Sequence, residues 1–196
     1  MDINKLIAQR IRLLRDAQGL SLEALAERSG VSRSNISLIE RGQSSPTATV
    51  LDKLSAGLGA TVASLFESTG SAETPPSPLT RVADQPLWAD PSSGYVRRNV
   101  SPNVDTPIQL VDVIFPAHQR VADETGPRLA DTHQQVWMIE GEMEITVGST
   151  QWRLEAGDCL AMRLDQPISF HNPGDQSARY VVALVTLPYQ PQRRKP

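Results

Sequence analysis

Cysteine and histidine are scarce in this chain of 196 residues. The single cysteine, Cys159, cannot close an internal disulfide, so nothing in the sequence asks for an oxidising compartment. One cysteine and three histidines also cannot furnish a Cys/His zinc framework. Long apolar runs are missing too: no stretch approaches the ~18 residues of a membrane span. The opening residues, MDINKLIAQRIRLLRDAQ, break every apolar run with charge, which argues against a secretory signal. Nor does one sign of charge dominate, since 19 basic residues face 22 acidic ones. These absences lead us to expect a soluble, cytoplasmic protein with one large core or two small ones.

The net charge of −3 is unevenly spread. Residues 1–66 carry eight Lys/Arg and six Asp/Glu, a balance of +2, while the remainder carries 11 and 16, a balance of −5. Any polyanion should therefore meet the N-terminal part. Helical periodicity fills that part. An apolar face runs through Ile7, Ile11 and Leu14, and another through Leu22, Leu25 and Ala26. Gly19 breaks the first helix, Ser21 caps a second, Gly30 ends it, and Ser32 caps a third that runs to Arg41. A loop at Gly42–Pro46 precedes a fourth helix over Thr47–Leu58, with Val50, Leu51, Leu54 and Leu58 on one face. A short fifth helix is expected around Val62–Phe66.

The composition then changes. Residues 67–80, ESTGSAETPPSPLT, lack periodicity and hold three prolines, as a semi-extended linker would. From Arg81 onward short strand-like runs alternate with Gly, Pro and Asp: Gln109–Phe115, Val136–Ile139, Glu142–Val147, Gln151–Leu154, Cys159–Leu164 and Arg179–Leu187. Such spacing predicts a small sandwich or barrel. The expected organisation is a helical domain over residues 1–66, a linker over 67–80, a β domain over 81–190 and a basic tail over 191–196.

Ala26, Gly30 and Ile36 have the types and spacing of a helix-turn-helix: a small residue at the helix contact, a turn glycine, and an apolar wedge between the helices. The full string LSLEALAERSGVSRSNISLIERGQSSP resembles the Xre-type five-helix DNA-binding domain of phage-repressor-like regulators. That resemblance places the third helix in the major groove, with Ser32, Arg33, Ser34 and Asn35 nearest the base edges. Arg33 could then grip a guanine through two parallel hydrogen bonds. Ser21 and the Gln43, Ser44, Ser45 loop would meet phosphate, although that loop has no Lys or Arg. Arg15 and Glu40 stand where the family keeps a structural ion pair.

The segment HQQVWMIEGEMEITVGSTQWRLEAGDCLAMRLDQPISFHNPGD resembles an antiparallel jelly-roll barrel of the cupin family. Glu140-Gly141-Glu142, the Gly148 turn, the LEAGD turn and Asn172-Pro173-Gly174 carry the likeness. Together the two parts resemble Xre-family regulators with a C-terminal cupin sensor domain. Metal-binding cupins use two His one residue apart, a Glu four further on, and a His on a later strand. Here the matching positions hold Arg128, Ala130, Gln134 and Ile168, so no metal and no cofactor is expected. Iron-dependent phosphonate epoxidases share the architecture but need that missing iron site. Cys159, at the start of a strand, reads as a small buried hydrophobe rather than a nucleophile.

Two other functions remain for the barrel: an effector pocket, or a dimerisation module alone. Strand alternation turns Gln134, Val136 and Met138 inward and Gln135, Trp137 and Ile139 outward. Arg128, Gln134 and Arg163 are the expected polar contacts for an anion, with Val136 and Met138 as apolar walls. The expected partners are double-stranded operator DNA, an unidentified small-molecule effector and a second copy of the chain. No membrane partner is expected.

Overall fold

The computed structural model describes residues 2–67, 77–104, 106–123 and 131–187. Four α-helices open the chain: α1 (Ile3–Ala17), α2 (Leu22–Ser29), α3 (Arg33–Glu40) and α4 (Ala48–Gly57). Both serines expected to cap helices do so, and Thr47, read from sequence as the first helical residue, is a cap as well. The Ser21 hydroxyl accepts from the Ala24 amide, Ser32 from Asn35 and Thr47 from Val50. Gly30 closes α2 in the left-handed conformation at φ 67°, which a Cβ would strain. The expected fifth helix is instead a single 3-10 turn, Ala63–Phe66. Ile7, Ile11, Leu25, Ile36, Leu51, Leu54 and Leu65 are fully buried and form the helical core. Gly57 lets α4 cross α2 closely, since a Cβ there would stand 3.0 Å from that of Ser29.

Arg15 and Glu40 pin α1 to the end of α3. Arg15 donates from Nε and Nη2 to the two Glu40 carboxylate oxygens at 2.7 and 2.9 Å, and from Nη1 to the Leu20 carbonyl at 2.8 Å. The pair is nearly buried, and the bonds from Glu40 hold the Arg15 guanidinium above its ordinary pKa.

Ten strands follow. Six form one sheet in the order β1 (Leu87–Ala89), β2 (Val96–Asn99), β3 (Ile108–Phe115), β10 (Ala178–Leu187), β5 (Asp131–Glu140), β8 (Cys159–Arg163). The other sheet runs β4 (Arg120–Asp123), β9 (Ile168–His171), β6 (Glu142–Val147), β7 (Thr150–Glu155). All these pairings are antiparallel. Among the described residues the jelly-roll layout thus consists of two separate sheets, not the closed barrel expected from sequence. Asn172 ties the loop after β9 into the core: it is fully buried, donates to the Phe115 and Gln176 carbonyls and accepts from the Gly174 amide.

The helical and β parts share one core. The ring of Phe66 packs on Trp88, and contacts continue through Tyr95 and Phe115 to Tyr180 and Phe170, with centroids 5.4 to 6.5 Å apart. Six of the chain's nine aromatic residues lie in this one series. Polar contacts border it: Asn99 Nδ2 donates to the Ala63 carbonyl, Thr61 to Gln109, Gln109 to Glu67, and Arg10 to Glu67.

Two variants test this account. Arg15→Ala leaves Glu40 buried without its partner and should lower the unfolding free energy by about 3–5 kcal/mol, seen as an earlier urea midpoint. A midpoint unchanged from the parent would show that the pair does not clamp the helices. Phe66→Ala empties the junction between the two parts and should cost a similar ~3–5 kcal/mol. An effect confined to unfolding of the helices, with the β part melting as before, would deny that the core is shared.

Candidate nucleic-acid interface and interdomain cavity

Burial of Ile36 and Ile39 fixes which face α3 turns away from the core. Ser32, Arg33 and Ser34 are exposed at its first turn, and Asn35 is half-buried. The Ser32 hydroxyl takes the Asn35 amide at 3.3 Å and contacts the Ser34 hydroxyl at 3.2 Å, so these three sites are held together. Arg33 lies 3.6 Å from Glu23, with both side chains about two-thirds exposed. Such a pair is worth little in water, so the guanidinium is free to exchange its partner.

The expected phosphate contacts divide. Ser21 is exposed, and its acceptor role at the Ala24 amide leaves its own proton to donate. Gln43 is fixed by Arg41, which donates to its Oε1 at 2.9 Å and to the Ser37 hydroxyl at 2.5 Å. Ser45 donates to Asn4 Oδ1 at 3.0 Å, and Ser44 is half-buried. Arg41 and Ser37 were missed by sequence reading. Attention to the loop alone overlooked the exposed cation one residue before Gly42.

A cavity of about 120 Å³ opens between the two sheets, and its roof belongs to the helical domain. Val111, Val113, Phe115, Tyr180, Val182 and Phe170 give it apolar walls. Ala48, Thr49 and Asp52 of α4, with Thr61 and Val62, cover it. The roof is bonded down at two points. The Ala48 amide donates to Asp90 Oδ1 at 3.0 Å, and the Thr49 hydroxyl to the Ala122 carbonyl at 3.2 Å. Asp90 is itself buried and oriented by the amide and hydroxyl of Ser93.

Of the expected pocket residues, Gln134 lines this cavity and is 9% exposed. Val136 and Met138 also face inward and are buried, but they fill the core instead of lining the cavity. Arg163 does not belong to the site. Its neighbour Met162 takes the inward position on β8, so strand alternation turns Arg163 out to Asp131 and Asp165. Arg128 lies outside the described residues. Cys159 corrects a second expectation: it is exposed on the outer face beside Trp137, not buried.

Sequence reading missed the charged residues of the cavity. Arg97 on β2 and Tyr95 just before it both line the wall. The Arg97 guanidinium sits 5.2 Å over the Phe66 ring, and its Nε is buried with no hydrogen-bond acceptor. Burial pushes the Tyr95 phenol above its ordinary pKa, Arg97 pulls it down, and Asp90 and Asp52 push it up. Burial likewise raises the Tyr180 phenol. Both therefore remain neutral hydroxyls at physiological pH.

A metal of the kind many cupins hold does not fit the described residues. Gln134 and Ile168 line the cavity, and the described wall has no His, Cys or Glu. His171 instead pairs with Glu144 at 2.9 Å, and among the described residues no three potential ligands gather.

A helix-turn-helix family model matches residues 11–65, and a cupin-domain model matches residues 122–184. The HTH-type transcriptional regulator PuuR of Escherichia coli is 28% identical over 176 residues, spanning 89% of this chain and 92% of that protein. An uncharacterized HTH-type transcriptional regulator of Sinorhizobium fredii, y4dJ, is 37% identical over 75 residues, 38% of this chain and 95% of that one. The crystal structure of an HTH_3-family transcriptional regulator from Vibrio cholerae shares the fold, with a TM-score of 0.74 at 23% identity over 95% of this chain and 98% of that one. The chain belongs to the Xre-type helix-turn-helix transcriptional regulators that carry a cupin domain.

Proposed function

We propose that this DNA-binding regulator acts in the cytoplasm as a homodimer on a roughly palindromic operator, and that a small organic effector in the cavity sets its affinity for DNA. One observation carries the effector reading: the cavity wall is built from both domains, so an occupant must touch α4 as well as the sheets. A cupin serving only to dimerise would have no use for such a shared cavity. The enzyme reading has less support, because the described wall supplies a single carboxylate and no histidine, and Cys159 lies on the opposite face.

The DNA reading rests on α3, whose exposed first turn carries Arg33 while its other face is locked into the helical core. The second copy has a candidate seat on the outer face of the six-stranded sheet. Ile108, Leu110, Ile114, Trp137 and Leu187 are exposed there, and the register sets Trp137 beside Val181 and Cys159. An apolar face of this kind is a usual site of self-association. A two-fold axis through it would present two reading helices to half-sites about 34–36 Å apart.

Two measurements test the reading. Arg33→Ala should relax preference at one base position by ~1–3 kcal/mol in a binding-site selection, leaving other positions unchanged. Uniform weakening on every sequence would make Arg33 a phosphate contact. Trp137→Asp should convert a dimer to a monomer in sedimentation equilibrium, and a variant that stays dimeric would move the interface off this sheet.

A further inference from the structure

Arg33 opens α3, but the side chains that point most directly away from the core come later in that helix. Successive helical residues turn by about 100°. Ile36 and Ile39 are buried and fix the inward side of α3. Leu38 stands about half a turn from Ile36, and Ser34 lies one turn before Leu38 on the same face. Arg41, just beyond the helix, continues that face. Ser34, Leu38 and Arg41 are exposed, and Ser37 beside them is half-buried.

The polar side chains of this face are engaged with their neighbours. The Ser34 hydroxyl contacts that of Ser32 at 3.2 Å, and the Ser37 hydroxyl accepts from Arg41 Nη1 at 2.5 Å. Leu38 lies among them, 39% exposed, and among the described residues of α3 it is the only large apolar side chain so placed. A leucine pressed onto a base edge has no hydrogen bond to give. Against adenine, guanine or cytosine it would strip water from amino and carbonyl groups without replacing it, which is costly. Thymine alone offers the major groove an apolar group, its 5-methyl.

We infer that Leu38 is a specificity-determining residue that selects thymine, by burying the 5-methyl group of one T·A pair against its side chain. The inference rests on the DNA reading above, in which α3 enters the major groove, and extends it beyond the first turn of the helix. Arg33 and Leu38 then select by different chemistry. Arg33 donates hydrogen bonds to acceptors on a base edge, whereas Leu38 detects a methyl group that cytosine lacks.

The test uses full-length protein and a DNA fragment that it selects from a random pool. Each thymine of the selected site is replaced in turn by deoxyuridine, which removes the methyl and keeps every hydrogen-bonding group. At one position the parent protein should bind about fourfold more weakly, the worth of burying one methyl group. 5-Methylcytosine at that position should bind better than cytosine, because it returns the methyl to the same place in the groove. Leu38→Ala should bind thymine and deoxyuridine there equally, and a selection with this variant should no longer prefer thymine at that position. Leu38 is exposed, so the variant should melt with the parent, and the parent's own deoxyuridine series needs no variant.

Equal binding of thymine and deoxyuridine at every position overturns the assignment. So does a deoxyuridine penalty that persists undiminished in Leu38→Ala, since the methyl then meets another side chain. Arg33→Ala separates these failures from failure of the DNA reading. Relaxed preference at its own base, with no methyl effect anywhere, leaves α3 as the reading helix and removes Leu38 from the contact. If neither variant alters base preference, the placement of α3 in the groove falls, and this inference with it.

Discussion

The ten residues of α4 must satisfy two cores at once. Leu51 and Leu54 close the helical bundle, while Ala48, Thr49 and Asp52 close the cavity between the sheets. A helix start leaves backbone amides without partners, and here one of them is satisfied from outside the domain. Thr47 caps the Val50 amide, and Asp90 of the β domain takes the Ala48 amide. The start of α4 is thus completed only when the two domains are docked. Phe66, Trp88 and the Arg97 guanidinium stacked on Phe66 extend the same junction beyond the helix. Movement at this junction would expose apolar rings and break the Ala48–Asp90 bond together, which favours discrete arrangements over gradual ones.

Much of the helical domain was legible because its signals are local. The serine caps, the turn at Gly30 and the spacing of Ile36 depend on a few neighbouring residues, and the structure places them as the sequence suggests. The long strands were legible for the same reason: β3, β5, β6 and β10 alternate clearly between buried and exposed positions. The short strands were not. Leu87–Ala89 and Val96–Asn99 have only three and four residues, too few to show an alternating pattern. Only the tertiary packing of Phe66 beneath it turns Arg97 into a wall of the cavity.

The misread residues share a cause. Asp52, Thr49 and Ser55 lie off the apolar face of Val50, Leu51, Leu54 and Leu58, and a partner domain leaves no trace in a 3.6-residue period. Ser55 is in fact fully buried, and Asp52 nearly so. Arg163 and Cys159 were misplaced by reading each alone, when β8 as a unit sends Met162 inward and its neighbours out. The cavity could therefore not be assembled from the cupin sequence by itself, because part of it is supplied by the other domain.

For the effector and operator proposed above, this arrangement gives a physical route between the two. An occupant that prefers the docked state shifts the population toward it, and the same coupling must act in reverse when DNA is bound. Amide hydrogen exchange at Ala48 measures this directly, since its proton is held by Asp90. The comparison is between free protein and protein bound to a DNA fragment that it selects from a random pool. The account predicts that DNA changes the exchange rate at Ala48 as well as protecting the first turn of α3. Protection confined to α3, with exchange at Ala48 unaltered, would contradict coupling through this helix.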